Sequence, residues 1–320
     1  MAGSILLIVS YASVVVFLAA VLCRAVKISR MPIHLRWELY PVAHEKGRVS
    51  YGGSYLEEPD WWTKPRHQSL FGQLRVMIPE ILFLAAVWEH NRKQWFRSFP
   101  FHIGLYLAAG LIGLLLLGGV ATAAGFTVSP DAGLLAAALY HLTYLLGYAA
   151  LGLGLIGAAA LLARRTFETD YAEYTKKADY FNLVFFIVTF AVALAAHAVA
   201  DPHFVVLRGY FARLVTFDFS SANSALAMPT GLSILEIALA SILVAYIPLT
   251  HMSHFFIKWF TYHGVRWGDE PNMPGSKIEQ QVNEVLQYPV SWSASHIRGD
   301  GKKTWADVAT SGVEEEEDEK

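Results

Sequence analysis

Apolar residues dominate five stretches of this chain, 4–22, 100–121, 134–163, 181–200 and 232–255. About 20 helical residues cross the roughly 30 Å of bilayer hydrocarbon, so each stretch predicts a transmembrane helix. A sixth run, 76–87, is shorter and carries Pro79 and Glu80, which predicts a helix lying in the interface. The polar segments between the runs test this count. With the N-terminus outside, residues 23–99, 164–180 and 256–320 share one face and hold 23 of the 25 Lys and Arg residues. Only Arg208 and Arg213 fall on the other face. Basic side chains gather on the cytoplasmic side, whereas a sixth span would scatter them. No basic residue precedes the first run, and Arg24, Lys27 and Arg30 follow it, the reverse of a secretory signal, so it is expected to stay as a span. The expected fold is all-α and integral to the membrane. It is a five-transmembrane-helix bundle with an outside N-terminus, a cytoplasmic C-terminus and interfacial helices in the first cytoplasmic loop.

The organisation outside the spans is uneven. Residues 1–260 form the membrane domain, with 24–99 as a long cytoplasmic surface loop. That loop holds Trp37, Trp61, Trp62, Trp88 and Trp95, and tryptophan favours the headgroup level. It is either a membrane-hugging connector or a docking surface for a cytoplasmic subunit. The outer loop 201–230 carries Phe204, Val205, Tyr210, Phe211, Leu214 and Phe217. These predict a short helix, either an anchor or a lid over an apolar ligand. Residues 261–320 form a cytoplasmic extension whose end, 314–320, is acidic and predicts a disordered tail. No internal repeat is visible.

Composition narrows the chemistry. With 54% hydrophobic and 16% charged residues, the chain is too apolar for an ordinary soluble domain. A net charge of -2 offers no basic surface for nucleic acid. The single cysteine, Cys23, excludes an internal disulfide and covalent haem attachment through paired thiols, and four thiolates are the usual holders of an iron–sulfur cluster. A redox cofactor here needs other ligands, and the chain has 12 histidines.

Ionisable residues inside spans are costly and tend to mark function. The candidates are His102, His141, His197, His251 and His254. A lone membrane histidine often does no more than bond across helices. His102 lies just inside the cytoplasmic start of the second run, and His254 just inside the cytoplasmic end of the fifth. At 1.5 Å per residue the two fall within about 5 Å of one membrane plane. Two histidines on different helices at one depth can hold a b-type haem, with Gly104, Ala108 and Ser253 small enough to leave room. His251, one turn away, is an alternative ligand or a contact to a haem propionate or a quinone. His141 and His197 lie in the outer half, at depths of roughly 12 Å and 5 Å. They are candidates for a second haem or for a quinone headgroup. Glu236, near the outer start of the fifth run, is a candidate proton acceptor for quinol oxidation; capping is its plainer role.

The stretch Phe99-Pro-Phe-His-Ile-Gly-Leu resembles the Phe-His-Ile-Gly ligand motif of the respiratory nitrate reductase gamma subunit. Ile247-Pro-Leu-Thr-His-Met-Ser-His is similar to that family's last-span Pro-Phe-Ser-x-x-x-His motif. Residues 157–167, ending Ala-Arg-Arg-Thr-Phe, look like its third span and basic turn. The Trp37-Glu-Leu-Tyr-Pro-Val-Ala-His-Glu run looks more like the cytochrome b subunits of menaquinol-linked complexes in sulfate-reducing bacteria, which carry a heterodisulfide-reductase-like iron–sulfur partner. The resemblance covers roughly residues 1–260 and implies that His102 and His254 ligate the haem nearer the cytoplasm. It also exposes a departure. The positions of the family's outer haem ligands are Ile112 and Glu236 here, so that haem is absent or is held by His141 and His197.

What this implies is a haem b subunit of the bacterial cytoplasmic membrane. One haem is expected and two are possible. The subunit would exchange electrons between menaquinone and a cytoplasmic iron–sulfur subunit, with a periplasmic cytochrome c as a further candidate partner. Quinol would bind in the outer half, by His141, His197 and Glu236, and flow in the reverse direction stays open. The rivals are a transporter, against which the missing repeat and the missing broken-helix pairs speak, and a cofactor-free membrane anchor.

Overall fold

The computed structural model describes residues 2–31, 70–220, 229–265, 273–294, 297 and 299–311. Trp37, Trp61, Trp62, the 37–45 motif and the acidic 314–320 tail lie outside the described residues. Within them the chain is all-α. Five helices are long and apolar enough to cross a membrane: α1 (Ala2–Ser29), α4 (Arg92–Ala123), α5 (Leu134–Phe167), α7 (Lys177–Val199) and α9 (Leu232–Tyr246), the last extended by one short 3-10 turn. The chain is therefore a multi-pass membrane protein. Each span keeps large apolar side chains on its outside, among them Leu18, Leu117, Ile156, Val188 and Ile242. Hydrocarbon is the environment that suits such a surface.

The helices overrun or stop short of the expected boundaries, and two of the shifts have a plain cause. Helix α4 begins eight residues before Pro100, at Arg92, where the Asn91 side chain caps it by accepting from the Gln94 N–H at 3.0 Å. Hydropathy marks the apolar stretch, and the helix runs on past it: 32 residues give a rod of roughly 48 Å. The fifth span stops short of Phe255. Pro248 has no N–H to donate and its ring crowds the preceding turn, so α9 ends at Tyr246. Two 3-10 turns, Ile247–Leu249 and His251–Ser253, lead to α10 (His254–Val265). His251 and His254 therefore do not share one α-helical face. The interfacial run also breaks. Leu84 takes a left-handed conformation (φ 53°) between α2 (Leu70–Phe83) and α3 (Ala85–His90).

The chain divides into two compact units. The first comprises residues 1–20 and 77–252. Its centre is the meeting of α4 with α5. Gly104 lies so close to Gly154 that a Cβ on Gly104 would come within 2.5 Å of the Gly154 nitrogen, and Gly157 abuts the backbone of Phe101. Small residues let helices in a membrane approach this closely and gain van der Waals contact. Gly104, expected to leave room beside His102, is thus the seat of a helix crossing. Phe101 meets Phe186 of α7 edge to face at 5.0 Å, and Phe190 of α7 fills the groove at Gly154. The short helix expected in the outer loop is α8 (Val205–Thr216). It packs on α4 where Gly118 and Gly119 face Arg208 and Phe211. Residues 2–20 of α1 join through hydroxyls: Ser10 bonds Tyr210 of α8 at 2.8 Å and Ser241 of α9 at 2.9 Å.

The second unit comprises residues 21–76 and 253–320. In it Arg24 donates to the buried Ser253 hydroxyl at 2.6 Å. Its C-terminal part is folded. Ser276 caps α11 (Lys277–Leu286), a bridge joins Pro289 to Thr304, and a reciprocal Thr304–Asp307 cap opens α12 (Trp305–Thr310). Ile278 and Val290 are buried there.

Candidate functional site

At the end of the bundle that carries α8, three ionisable residues are buried together. His197 is 1% exposed, Asp201 4% and Glu236 7%. His197 sits in the last turn of α7, and Glu236 one turn into α9. Their side chains meet across the two helices, with Nε2 of His197 2.9 Å from Oε1 of Glu236. On its other side the imidazole donates Nδ1–H to the Asp201 carbonyl at 2.8 Å. The Phe204 ring stacks on it with centroids 3.7 Å apart. Phe204 is itself fully buried against Gly147 of α5, in a left-handed backbone conformation (φ 57°). The ring of His197 is therefore fixed in position and in tautomer.

The proton count follows from these contacts. A carbonyl only accepts, so Nδ1 must carry a hydrogen. One further proton lies between Nε2 and Oε1. It resides on the carboxyl beside a neutral imidazole, or on the imidazole beside a carboxylate. Either way the pair has no net charge, which removes most of the cost of placing it in a membrane. It is also a unit that can give up or take up one proton over a short bond.

Asp201 has a different task. Its carboxylate accepts from the N–H groups of Val205 at 2.7 Å and Leu207 at 3.0 Å, capping the first turn of α8. Arg208 of the same helix, 3% exposed, donates to the Val128 carbonyl and lies 5.7 Å from the Tyr140 ring. Burial pulls the Arg208 guanidinium below its ordinary value, and Asp201 partly restores it. Tyr210, on the same helix, is pushed up to about 12 by burial and so keeps its proton in the bond with Ser10.

The remaining predicted residues fall elsewhere. His102, half-buried in α4, donates Nδ1–H to the Ser98 carbonyl at 2.8 Å, a bond that fixes its tautomer. His141 is exposed on α5, edge to face with Tyr140, and is not brought to His197. His251 is largely exposed, with Nε2 3.3 Å from Asp179 Oδ1. His254 opens α10 and belongs to the second unit, whereas His102 belongs to the first.

The sequence did not single out Asp201 as part of this site, and it placed Phe204 and Arg208 only in the outer loop. One signal was present for Asp201. Asp201-Pro-His-Phe precedes an apolar run, which is the pattern of a helix cap. No family model, curated protein or solved structure matches the chain.

Proposed function

We propose that this chain is the haem b membrane subunit of a quinol-linked respiratory complex, and that His197 with Glu236 exchanges the quinol proton. The observation that carries this reading is the buried pair itself: Nε2 of His197 lies 2.9 Å from Oε1 of Glu236 between two spans, near the end of both. Oxidising a quinol releases two electrons and two protons. The pair takes the first proton from a quinol hydroxyl, becoming singly positive, and passes it toward the α8 end. The second proton then follows the same way. When quinone is reduced instead, the same pair donates.

His102 suits an axial ligand. Its Nδ1 bond to the Ser98 carbonyl orients the ring, fixes the tautomer and raises the basicity of Nε2, as outer partners do for metal-bound histidines. By the resemblance, His254 is the second ligand, with His251 as its alternative. Haem b, when bound, relays single electrons between the quinone and an iron–sulfur partner on the face where Lys and Arg gather. A second haem on His141 and His197 is not part of this proposal. His197 already uses both ring nitrogens, and coordinating iron would cost it the Glu236 or the Asp201 bond. The position of the family's outer haem ligand has instead become one half of a proton carrier.

The test is a reduced-minus-oxidised spectrum of the chain purified from membranes. A b-type signal that disappears in the double variant His102→Ala/His254→Ala is expected. A spectrum without haem would leave a cofactor-free anchor and end the reading. A signal that survives the double variant would reassign the ligands. Co-purification of an iron–sulfur subunit tests the partner on the cytoplasmic side, and of a cytochrome c the partner on the other.

A further inference from the structure

The other end of the first unit holds a cavity of about 430 Å³ where the start of α4 and the end of α5 meet α6 (Thr169–Ala172). It is lined by Lys93, Arg97, Arg164 and Thr169, with Glu168 between the two arginines and the exposed ring of Phe167 at its side. Glu168 binds Arg97 through Oε1 at 2.5 Å and Arg164 through Oε2 at 3.1 Å, so each carboxylate oxygen has a guanidinium of its own. That leaves two arginines on one carboxylate. Arg164 is only 8% exposed, and its guanidinium lies flat on Tyr171, 3.4 Å from the ring centroid. Its Nε is committed to Glu168, and among the described residues its two terminal nitrogens have no hydrogen-bond partner. Lys93 makes no ion pair there either. Asp170, at the rim, returns one negative charge. The cavity keeps a net positive charge and a set of N–H donors on a buried, pre-oriented fork, the geometry that suits phosphate oxygens.

Its height matters as much as its charge. The cavity sits where two of the apolar spans end, and Phe167 stands exposed at its side. A ligand with a phosphate for the arginines and an apolar chain for this ring matches both features. We infer that this cavity is a binding site for the phosphate of an anionic phospholipid, held by Arg164, Arg97 and Lys93.

The experiment uses the full chain in detergent, stripped of lipid. It is titrated separately with phosphatidylglycerol, phosphatidylcholine and inorganic phosphate, and binding is read by native mass spectrometry and by the shift of the thermal transition. Phosphatidylglycerol is expected to bind at least tenfold more tightly than phosphatidylcholine. Lys93→Gln is expected to weaken it roughly fivefold, the worth of one basic residue at a membrane surface. Lys93 is exposed, so this variant is expected to fold normally. Arg164→Lys keeps the charge without the fork and is expected to weaken phosphatidylglycerol further, with a far-ultraviolet spectrum to confirm folding. Equal retention of the two lipids overturns the proposal, as does phosphatidylglycerol binding unchanged in both variants. Inorganic phosphate that binds as tightly as the lipid also overturns it, assigning a soluble anion instead.

Discussion

Glu236→Gln separates the chemistry of the buried pair from its structural worth. The amide has the size of the carboxyl, and its NH2 can donate to Nε2 of His197, because Nδ1 must keep its hydrogen for the Asp201 carbonyl. The α7–α9 bond at 2.9 Å is then retained in shape. Interhelical hydrogen bonds in membranes are worth about 0.6 kcal/mol on average and seldom above 1.7 kcal/mol, so the exchange of one such bond for another is expected to cost less than about 1 kcal/mol. Glu236→Ala differs. It leaves Nε2 of a 1%-exposed histidine without a partner, a penalty of about 1–3 kcal/mol, and it opens a small void. Unfolding in mixed micelles would therefore rank Ala about 2 kcal/mol below wild type, with Gln near it. Function should rank them otherwise. Neither variant carries a transferable proton at this position, and loss of a general base costs about 10²-fold or more. Both should slow quinol-driven haem reduction, measured by stopped flow, to that extent. If Gln destabilises as much as Ala, the shared-proton account of the bond is wrong. If Gln keeps the wild-type rate, the pair is a structural tie and the proton leaves elsewhere.

Four further outcomes follow from the packing and the charges. Gly104→Ala should destabilise by about 1–3 kcal/mol, because its Cβ would meet the Gly154 backbone. Gly113→Ala, on the same helix with nothing within 4 Å, should stabilise by about 0.5–1 kcal/mol, and unfolding in mixed micelles compares the two. Phe204→Ala removes a fully buried ring from His197 and Gly147, and the same assay should show a loss of about 3 kcal/mol. The bonds from Arg164 and then Arg97 hold the Glu168 carboxyl below its ordinary value of 4.5. A lowered folded-state value means that its contribution is complete above the ordinary value and fades as pH falls through the lowered one. Acid unfolding of Glu168→Gln should lack that component of the pH dependence.

The five spans were legible because length and apolarity are properties of the chain in one dimension. The breaks were less so. Pro248 is visible in the sequence, yet the apolar run continues past it to Phe255, so hydropathy alone extended a helix that the proline ends. Gly104 was misread for a related reason. A glycine marks closeness to something, and only the packed bundle says that the neighbour is Gly154. Depth was legible too: counting residues put His197 and Glu236 at one end of the bundle. Facing was not. Which sides of α7 and α9 meet depends on contacts between residues far apart in the chain, such as the Tyr246 hydroxyl donating to Oδ1 of Asn182 at 2.7 Å. His141, in the same half by depth, turns outward for the same reason.

The neutrality of the pair has a consequence for the direction of proton movement. His197 stands two residues before the end of α7, and Glu236 four residues after the start of α9. A proton on either group is thus about 3–6 Å from a helix end, at the opposite end of this unit from the cluster of Arg97, Arg164 and Glu168. Around it, Asp201 is satisfied by the N–H groups of α8. Carrying a proton the long way would take it past Ala193, Phe190 and Phe186, all buried and apolar. On the proposed function, the proton is therefore exchanged with the α8 face whichever way the electrons run. If haem binds at His102 in the opposite half, quinol oxidation at His197 and Glu236 leaves protons on one face and carries electrons toward the other. The charge separation would come from the placement of the two sites along the spans, with no proton channel through the bundle.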